Sequence, residues 1–310
     1  MQEFIDLINS YVWSPALVYL LLAAGLFFSV LTRFVQVRLF REMIKLLFSS
    51  KESDRGISSF QALSVSLSGR VGTGNIAGVA AAIGFGGPGA VFWMWVVAFL
   101  GAATAYVESA LGQIYKEEDQ GQLRGGPAYY IEKAMGQKWY AWIFAISTIF
   151  AVGLLLPTVQ SNAIGNAADL AFGGSGILET SLGSVTYTKL ITAVCVVFLL
   201  GFIIFGGVKR IAHFTQVVVP FMAVGYVLLA IVIILMHITA LPGIRMLLVT
   251  DAFTPRAGVG AAIGWGVKRG VYSNEAGQGT GPHAAAASEV EHPAQQGLVQ
   301  AFSVYVDTLF

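Results

Sequence analysis

The chain alternates long apolar runs with short polar joints. An apolar helix needs about 20 residues to cross the hydrocarbon of a bilayer. Runs of that length lie near residues 13–34, 58–84, 88–115, 140–171, 188–207 and 212–239. A glycine-rich run follows near 255–287, and an eighth opens near 294 and is still apolar at Phe310. The joints carry patterns of their own. Arg38 to Ser50 alternates apolar and basic residues at helical spacing, which predicts a helix lying along the membrane interface. Within Gly121 to Trp139, Gly125-Gly126-Pro127 predicts a turn followed by a short amphipathic helix. The joint from Leu241 to Arg256 predicts another short helix over IRMLLVTDAF.

Two spans break the apolar pattern. In Gly69 to Ala80, GRVGTGNIAGVA, residues before Ser68 and after Ile76 fit ordinary helix, but Gly69, Gly72 and Gly74 leave the backbone between them bare. A glycine inside a helix costs roughly 1 kcal/mol relative to alanine, and peptide groups freed at membrane depth cost several more unless something bonds to them. A break there points to a bound polar ligand or ion. Asn75 can cap the second half-helix, and its amide oxygen is a hard donor suited to sodium. Amides exposed at a half-helix N-terminus suit a carboxylate. The alternative is close helix packing on small residues. A dinucleotide-binding loop is disfavoured, because no strand precedes the glycines. The pattern recurs in Gly258 to Pro282, GVGAAIGWGVKRGVYSNEAGQGTGP, where Trp265 is the bulky aromatic of the first part. Two glycine-interrupted spans, five spans apart, predict an inverted repeat with a binding site between them. The predicted organisation is an extra helix and interfacial segment over 1–56, a first five-helix repeat over 57–240 and the start of a second over 241–310.

Composition agrees. The 310 residues are 56% hydrophobic and only 11% charged, against about 25% charged in soluble domains, so the chain reads as an all-α polytopic membrane protein. The net charge of +1 offers nothing to nucleic acid. The single cysteine, Cys195, lies in an apolar run and excludes an intrachain disulfide or a cysteine metal cluster. Glu3 and Asp6 precede the first apolar run, unlike the basic start of a signal peptide. Twelve basic residues (Arg33, Arg38, Arg41, Lys45, Lys51, Arg55, Lys116, Arg124, Lys133, Lys138, Lys209 and Arg210) fall on one side of the predicted bundle, against Lys189, Arg245 and Arg256 on the other. That asymmetry places the N-terminus outside.

The stretches GRVGTGNIAGVAAAIGFGGPGAVFWMW, GGPAYYIEKAMG, and GVKRGVYSNEAGQGTGPHAAAA followed by HPAQQGL resemble the alanine or glycine:cation symporter family, over nearly the whole chain from about residue 14. That family looks like a branch of the amino acid–polyamine–organocation superfamily. The resemblance implies a leucine-transporter-type fold of five-plus-five inverted repeats with an extra N-terminal helix. It implies uptake of alanine or glycine coupled to sodium, or sometimes to protons, across a prokaryotic plasma membrane. By the same resemblance, Thr73, Gly74 and Asn75 touch the substrate, and the carbonyls of Ser68 and Val71 belong to the shared sodium site. The matching break of the later span falls near Gly264-Trp265-Gly266, and small residues with one indole suit a small substrate. Arg70 departs from the small residue of the leucine transporter, and its guanidinium puts a second sodium site of that type in doubt.

Gln160 follows Pro157 midway through the fourth span. An intramembrane glutamine faces the bundle interior; the resemblance makes it a substrate contact, and an inter-helix hydrogen bond is the alternative. Asn162 and Asn166 read as packing residues. Glu108, Glu275 and Asp307 are intramembrane acids, with Lys268 and Arg269 as expected partners of the last two at an inner gate and a proton relay as the alternative. His213, His283 and His292 lack metal-ligand spacing, so no transition-metal site is expected. Trp93 and Trp95 read as an aromatic belt. No nucleophile–base constellation lies in the spans, so the expectation is transport by alternating access rather than catalysis, a channel or a sensor. The expected partners are a small neutral amino acid, sodium and lipid, with no obligate protein partner and no organic cofactor. By the repeat count the second repeat lacks three spans, so these 310 residues are expected to be a truncated product unable to transport alone.

Overall fold

The computed structural model of the protein describes residues 2–48, 55–174, 176–180, 183–253 and 258–309. Ser49, Ser50, Lys51, Arg256 and Phe310, which figure in the sequence reading, lie outside the described residues. The chain is mostly helical. Helix α1 (Gln2–Val12) precedes α2 (Pro15–Leu31), α3 (Val35–Arg38) and α4 (Phe40–Phe48). Then come α5 (Ser59–Arg70), α6 (Val79–Gly86) and α7 (Gly89–Ile114). Strands β1 (Glu117–Asp119) and β2 (Gln122–Arg124) pair as a small hairpin ahead of α8 (Pro127–Met135), α9 (Lys138–Thr148) and α10 (Leu156–Phe172). A second hairpin, β3 (Ile177–Thr180) with β4 (Gly183–Thr186), leads into α11 (Tyr187–Ile204) and α12 (Gly207–Met236). The described chain ends with α13 (Leu241–Ala252), α14 (Gly258–Asn274), α15 (Gly281–Ala287) and α16 (Pro293–Thr308).

Among the described residues, five helical stretches are long and apolar enough to cross a membrane: Leu7–Leu31, Gly89–Ile114, Lys138–Phe172, Tyr187–Ile204 and Gly207–Met236. The Lys138–Phe172 run joins α9 to α10 through a wide π turn at Ile149–Leu155. Pro157 follows directly; it has no N–H and its ring crowds the preceding turn, and a widened turn relieves both. Helix α1 and the two hairpins were not legible in the apolar pattern, because they lie in polar or mixed stretches.

The broken helices sit side by side. Helix α15 packs on α5 and α14 packs on α6. Ile57, at the head of α5, accepts from Glu289 N–H at 3.2 Å and donates to Ala287 O at 3.0 Å. At the other end Gly86, closing α6, lies against Trp265 of α14. The two broken helices are therefore antiparallel. Ser58 starts α5 with a reciprocal cap, its hydroxyl accepting from Gln61 N–H and its amide donating to Gln61 Oε1.

Helix α7 is the post of the bundle and packs against α2, α14, α15 and α16. Its first turn is pinned by α13, where Asp251 Oδ2 accepts from Gly89 N–H at 2.8 Å and Ala252 O accepts from Trp93 Nε1 at 3.1 Å. At its far end Lys116 Nζ donates to Ser288 O at 2.8 Å, and burial holds that ammonium below its usual range. Helix α4, expected along the interface, buries one face in the protein. Met43 is fully buried and belongs to one core cluster with Val35, Ala98, Ala102 and Val304. One apolar stripe on a basic helix suits either lipid or protein, and here α16 covers it.

Candidate functional site

The first break begins where Val71 turns extended, at φ −76° and ψ 104°. Gly72 N–H would close a helical bond to Ser68 O; it donates instead to Asn75 Oδ1 at 2.9 Å. Ser68 O thereby loses its helical acceptor role and Val71 O swings off the helix axis, so both carbonyls are freed at one helix end. The chain re-enters helix through a π turn at Gly74–Gly78. Asn75 was expected to cap the second half-helix; it lies inside that first turn and holds the break closed from within. Its Nδ2 also donates to Asp307 O at 2.8 Å and Asp307 Oδ1 at 2.9 Å. Gly74 is where the two broken helices touch: a Cβ there would stand 3.2 Å from Ser273 Cα.

The second break is not where the sequence placed it. Helix α14 runs without interruption through Gly264-Trp265-Gly266 to Asn274, and the break spans Glu275 to Thr280. Glu275, Gly277 and Gly279 take positive φ values of 54°, 84° and 83°. The upstream glycines do other work. Gly266 admits Trp93 and Gly270 admits the backbone of Met94, so α14 can lie close on α7. Trp265 stacks on Phe85 with ring centroids 4.8 Å apart, beside Ala82 and Ala90. Trp265→Ala is therefore expected to weaken the contact between α14 and α6 at that end. A lowered melting temperature with an unchanged amino-acid competition profile would bear this out; entry of leucine would instead make Trp265 a wall of the site.

Two cavities, each of about 220 Å³, flank the first break. One is lined by Ser68, Arg70, Val71, Gly72, Gly74, Pro157, Gln160, Tyr272 and Glu275. There Gln160 Oε1 accepts from Thr73 N–H at 3.4 Å, and the Gln160 amide lies against Gly72. Glu275 faces Gly69 and accepts from Thr280 Oγ1 at 2.6 Å. The other cavity is lined by Val71, Asn75, Trp95, Tyr226, Ser273, Asp307 and Thr308. Asp307 accepts there from Asn75, from Ser273 Oγ at 3.2 Å and from Thr308 Oγ1 at 2.7 Å. The structure thus gathers Ser68, Val71, Thr73, Gly74, Asn75 and Gln160 around one break, and leaves Gly264, Trp265 and Gly266 outside both linings.

The expected gate pairs do not form. Among the described residues Lys268 lies over the Trp13 ring, and Arg269 lies between the Trp265 and Tyr272 rings. Both sit six or more residues before Glu275, about 9 Å or more along the helix axis. Arg70 takes the central place. It is 2% exposed, and its Nη1 donates to Gln300 O at 3.2 Å and to Ser303 Oγ. Ser273, Tyr272 and Thr308 were missed by sequence reasoning. For Tyr272 and Ser273 the signal was a polar run, Tyr272-Ser273-Asn274-Glu275, ahead of Gly277 and Gly279.

The sequence profile of the sodium:alanine symporter family matches residues 1–310. The chain belongs to the sodium:alanine symporter family. It is 57% identical over its whole length to the putative sodium/proton-dependent alanine carrier protein YrbD of Bacillus subtilis, and covers 62% of that protein. It is 42% identical to the probable sodium/glutamine symporter GlnT of the same organism, with all of this chain and 63% of the relative covered. It is 40% identical to the sodium/alanine symporter AgcS of Methanococcus maripaludis, with 99% of this chain and 68% of the relative covered. The chain thus spans about three fifths of the length of the first two. The family is one of carriers rather than of enzymes.

Proposed function

We propose that the protein is a secondary active symporter that moves a small neutral amino acid, alanine or glycine, with sodium by alternating access. The observation that carries this reading is the antiparallel pair of broken helices with a small cavity at the first break, faced by Gln160 and Glu275. In this reading the substrate carboxylate takes the amides of Thr73 and Gly74, with the Asn75 turn holding them in place. The long 3.4 Å bond from Thr73 N–H to Gln160 is readily exchanged for a carboxylate oxygen. Glu275, across the cavity, suits the ammonium group. About 220 Å³ accommodates a methyl side chain and disfavours larger ones by contact.

Sodium takes the freed carbonyls of Ser68 and Val71. Asp307, with the hydroxyls of Ser273 and Thr308, is a second cluster of hard oxygens suited to sodium or a proton. The antiparallel pairing also supports a five-plus-five inverted repeat with α5–α6 and α14–α15 as its first elements. The excess of basic residues on one side of the bundle supports an N-terminus outside the prokaryotic plasma membrane, and in that orientation Gly264-Trp265-Gly266 contribute to the outer closure.

Labelled alanine uptake by the full-length protein in proteoliposomes, with and without a sodium gradient, tests the reading. Uptake that ignores both sodium and proton gradients would sink it. Gln160→Ala is expected to weaken alanine binding by about 1–3 kcal/mol, the range for a lost hydrogen bond in a buried site. An unchanged Kd would make Gln160 a helix-packing residue.

A further inference from the structure

The second break leaves five consecutive amides without an ordinary helix, and each finds an acceptor. Glu275 N–H still reaches Val271 O at 2.9 Å, and Gln278 N–H reaches Glu275 O at 3.1 Å. Ala276 N–H donates to Asn274 Oδ1 at 3.0 Å. The remaining two leave the segment altogether. Gly277 N–H donates to Glu108 Oε1 at 3.1 Å, and Gly279 N–H donates to Glu108 Oε2 at 3.2 Å. One carboxylate on α7 thus replaces two lost helix bonds, one oxygen for each amide.

The rest of α7 is shaped to the same segment. A Cβ on Gly101 would meet Ala276 Cβ at 2.9 Å, and one on Gly277 would meet Thr104 Cγ2 at 3.3 Å. Gly101, Thr104 and Glu108 follow helical spacing and form one face. That face belongs to a 26-residue helix buried along its middle. The break is held by its firmest neighbour, not by a loop.

We propose that Glu108 is a positioning residue of the transport site: its two carboxylate oxygens, fixed on α7, set the path of the Gly277–Gly279 backbone and so the placement of Glu275 at the cavity. This rests on the amino-acid transport reading. Glutamine is the informative replacement. It keeps the volume but offers one acceptor oxygen, and its NH₂ opposes the second amide. Aspartate keeps both oxygens and withdraws them by one methylene.

Hydrogen exchange read at single amides, together with alanine uptake, tests the proposal in the full-length protein. In Glu108→Gln, exchange at Gly277 and Gly279 is expected to rise at least about tenfold, the equivalent of one backbone hydrogen bond, with Val271 to Ser273 unchanged. KM for alanine is expected to rise by about the same factor per folded molecule, with Vmax little altered. Glu108→Asp should fall between, and supplies the test if the glutamine variant does not fold. Unchanged exchange at the two glycines, or a uniform rise across α14 and α15, would overturn the proposal. So would a loss of folded yield with unchanged KM, the mark of a purely structural carboxylate. A parent protein that takes up no amino acid would sink the transport reading, whereas the exchange comparison would still decide whether Glu108 holds the break.

Discussion

Gly74→Leu is expected to abolish alanine binding, lowering affinity by at least about 100-fold, while the protein still inserts and folds. The reason is the close approach of the two broken helices. A Cβ at residue 74 would already stand 3.2 Å from both Ser273 Cα and Ser273 Oγ. Backbone atoms of α14 cannot step aside cheaply, and overpacking of this kind costs about 1–3 kcal/mol before a ligand is considered. The extra carbons of leucine would also enter the cavities on either side, since Gly74 and Ser273 lie between their linings. Gly74→Ala should show a milder loss, near tenfold. Gly78→Ala is the control: its Cβ would meet Thr73 O at 3.7 Å, an ordinary contact. Binding of labelled alanine to detergent-purified protein, with monodispersity as the check on folding, gives the answer. Unchanged affinity in a folded Gly74→Leu protein would move the site away from the first break.

The first break was legible in the sequence and the second was misplaced, and the contrast has a physical cause. Gly72 and Gly74 flank Thr73 and precede Asn75, so glycine density coincides with polar side chains able to bond freed amides. Around Gly264 and Gly266 the glycine density is just as high, but the neighbours are Ala261, Ala262, Ile263 and Val267. The polar groups beside them, Lys268 and Arg269, lie over aromatic rings, and the helix stays intact, with Gly266 and Gly270 packed on α7. At Gly277 and Gly279 the polar partners are local in part, Asn274 and Gln278, and distant in part, Glu108. The distant partner has no sequence signature, because it lies 169 residues away from Gly277. The acids were rightly singled out as costly in a span. Their partners were misjudged because nearness in sequence favoured Lys268 and Arg269. The folded chain brings Asn75 to Asp307 and backbone amides to Glu108 instead.

Arg70→Met is expected to destabilise the protein severely, by about 3–5 kcal/mol, the usual cost of removing one partner from a set of buried charges. Arg70 lies between α5 and α16 and close to Gly281 at the head of α15. The charges that act on it are Glu275, Glu108 and Asp307. Without the guanidinium, three buried carboxylates would lose the cation that acts on all of them. Two acceptors on α16, Gln300 O and Ser303 Oγ, would lose their donor as well. Arg70→Lys should recover part of the loss, because an ammonium keeps the charge but sits on a shorter side chain than Nη1, which donates to both acceptors. A second change separates charge from packing. Adding Glu275→Gln to Arg70→Met removes one uncompensated carboxylate, so the double variant should melt higher than Arg70→Met alone. Thermal melting of the parent, Arg70→Met, Glu275→Gln and the double variant in one detergent measures the coupling. If Arg70→Met melts with the parent, the three carboxylates are neutralised by something other than Arg70, and the charge balance drawn around it is wrong.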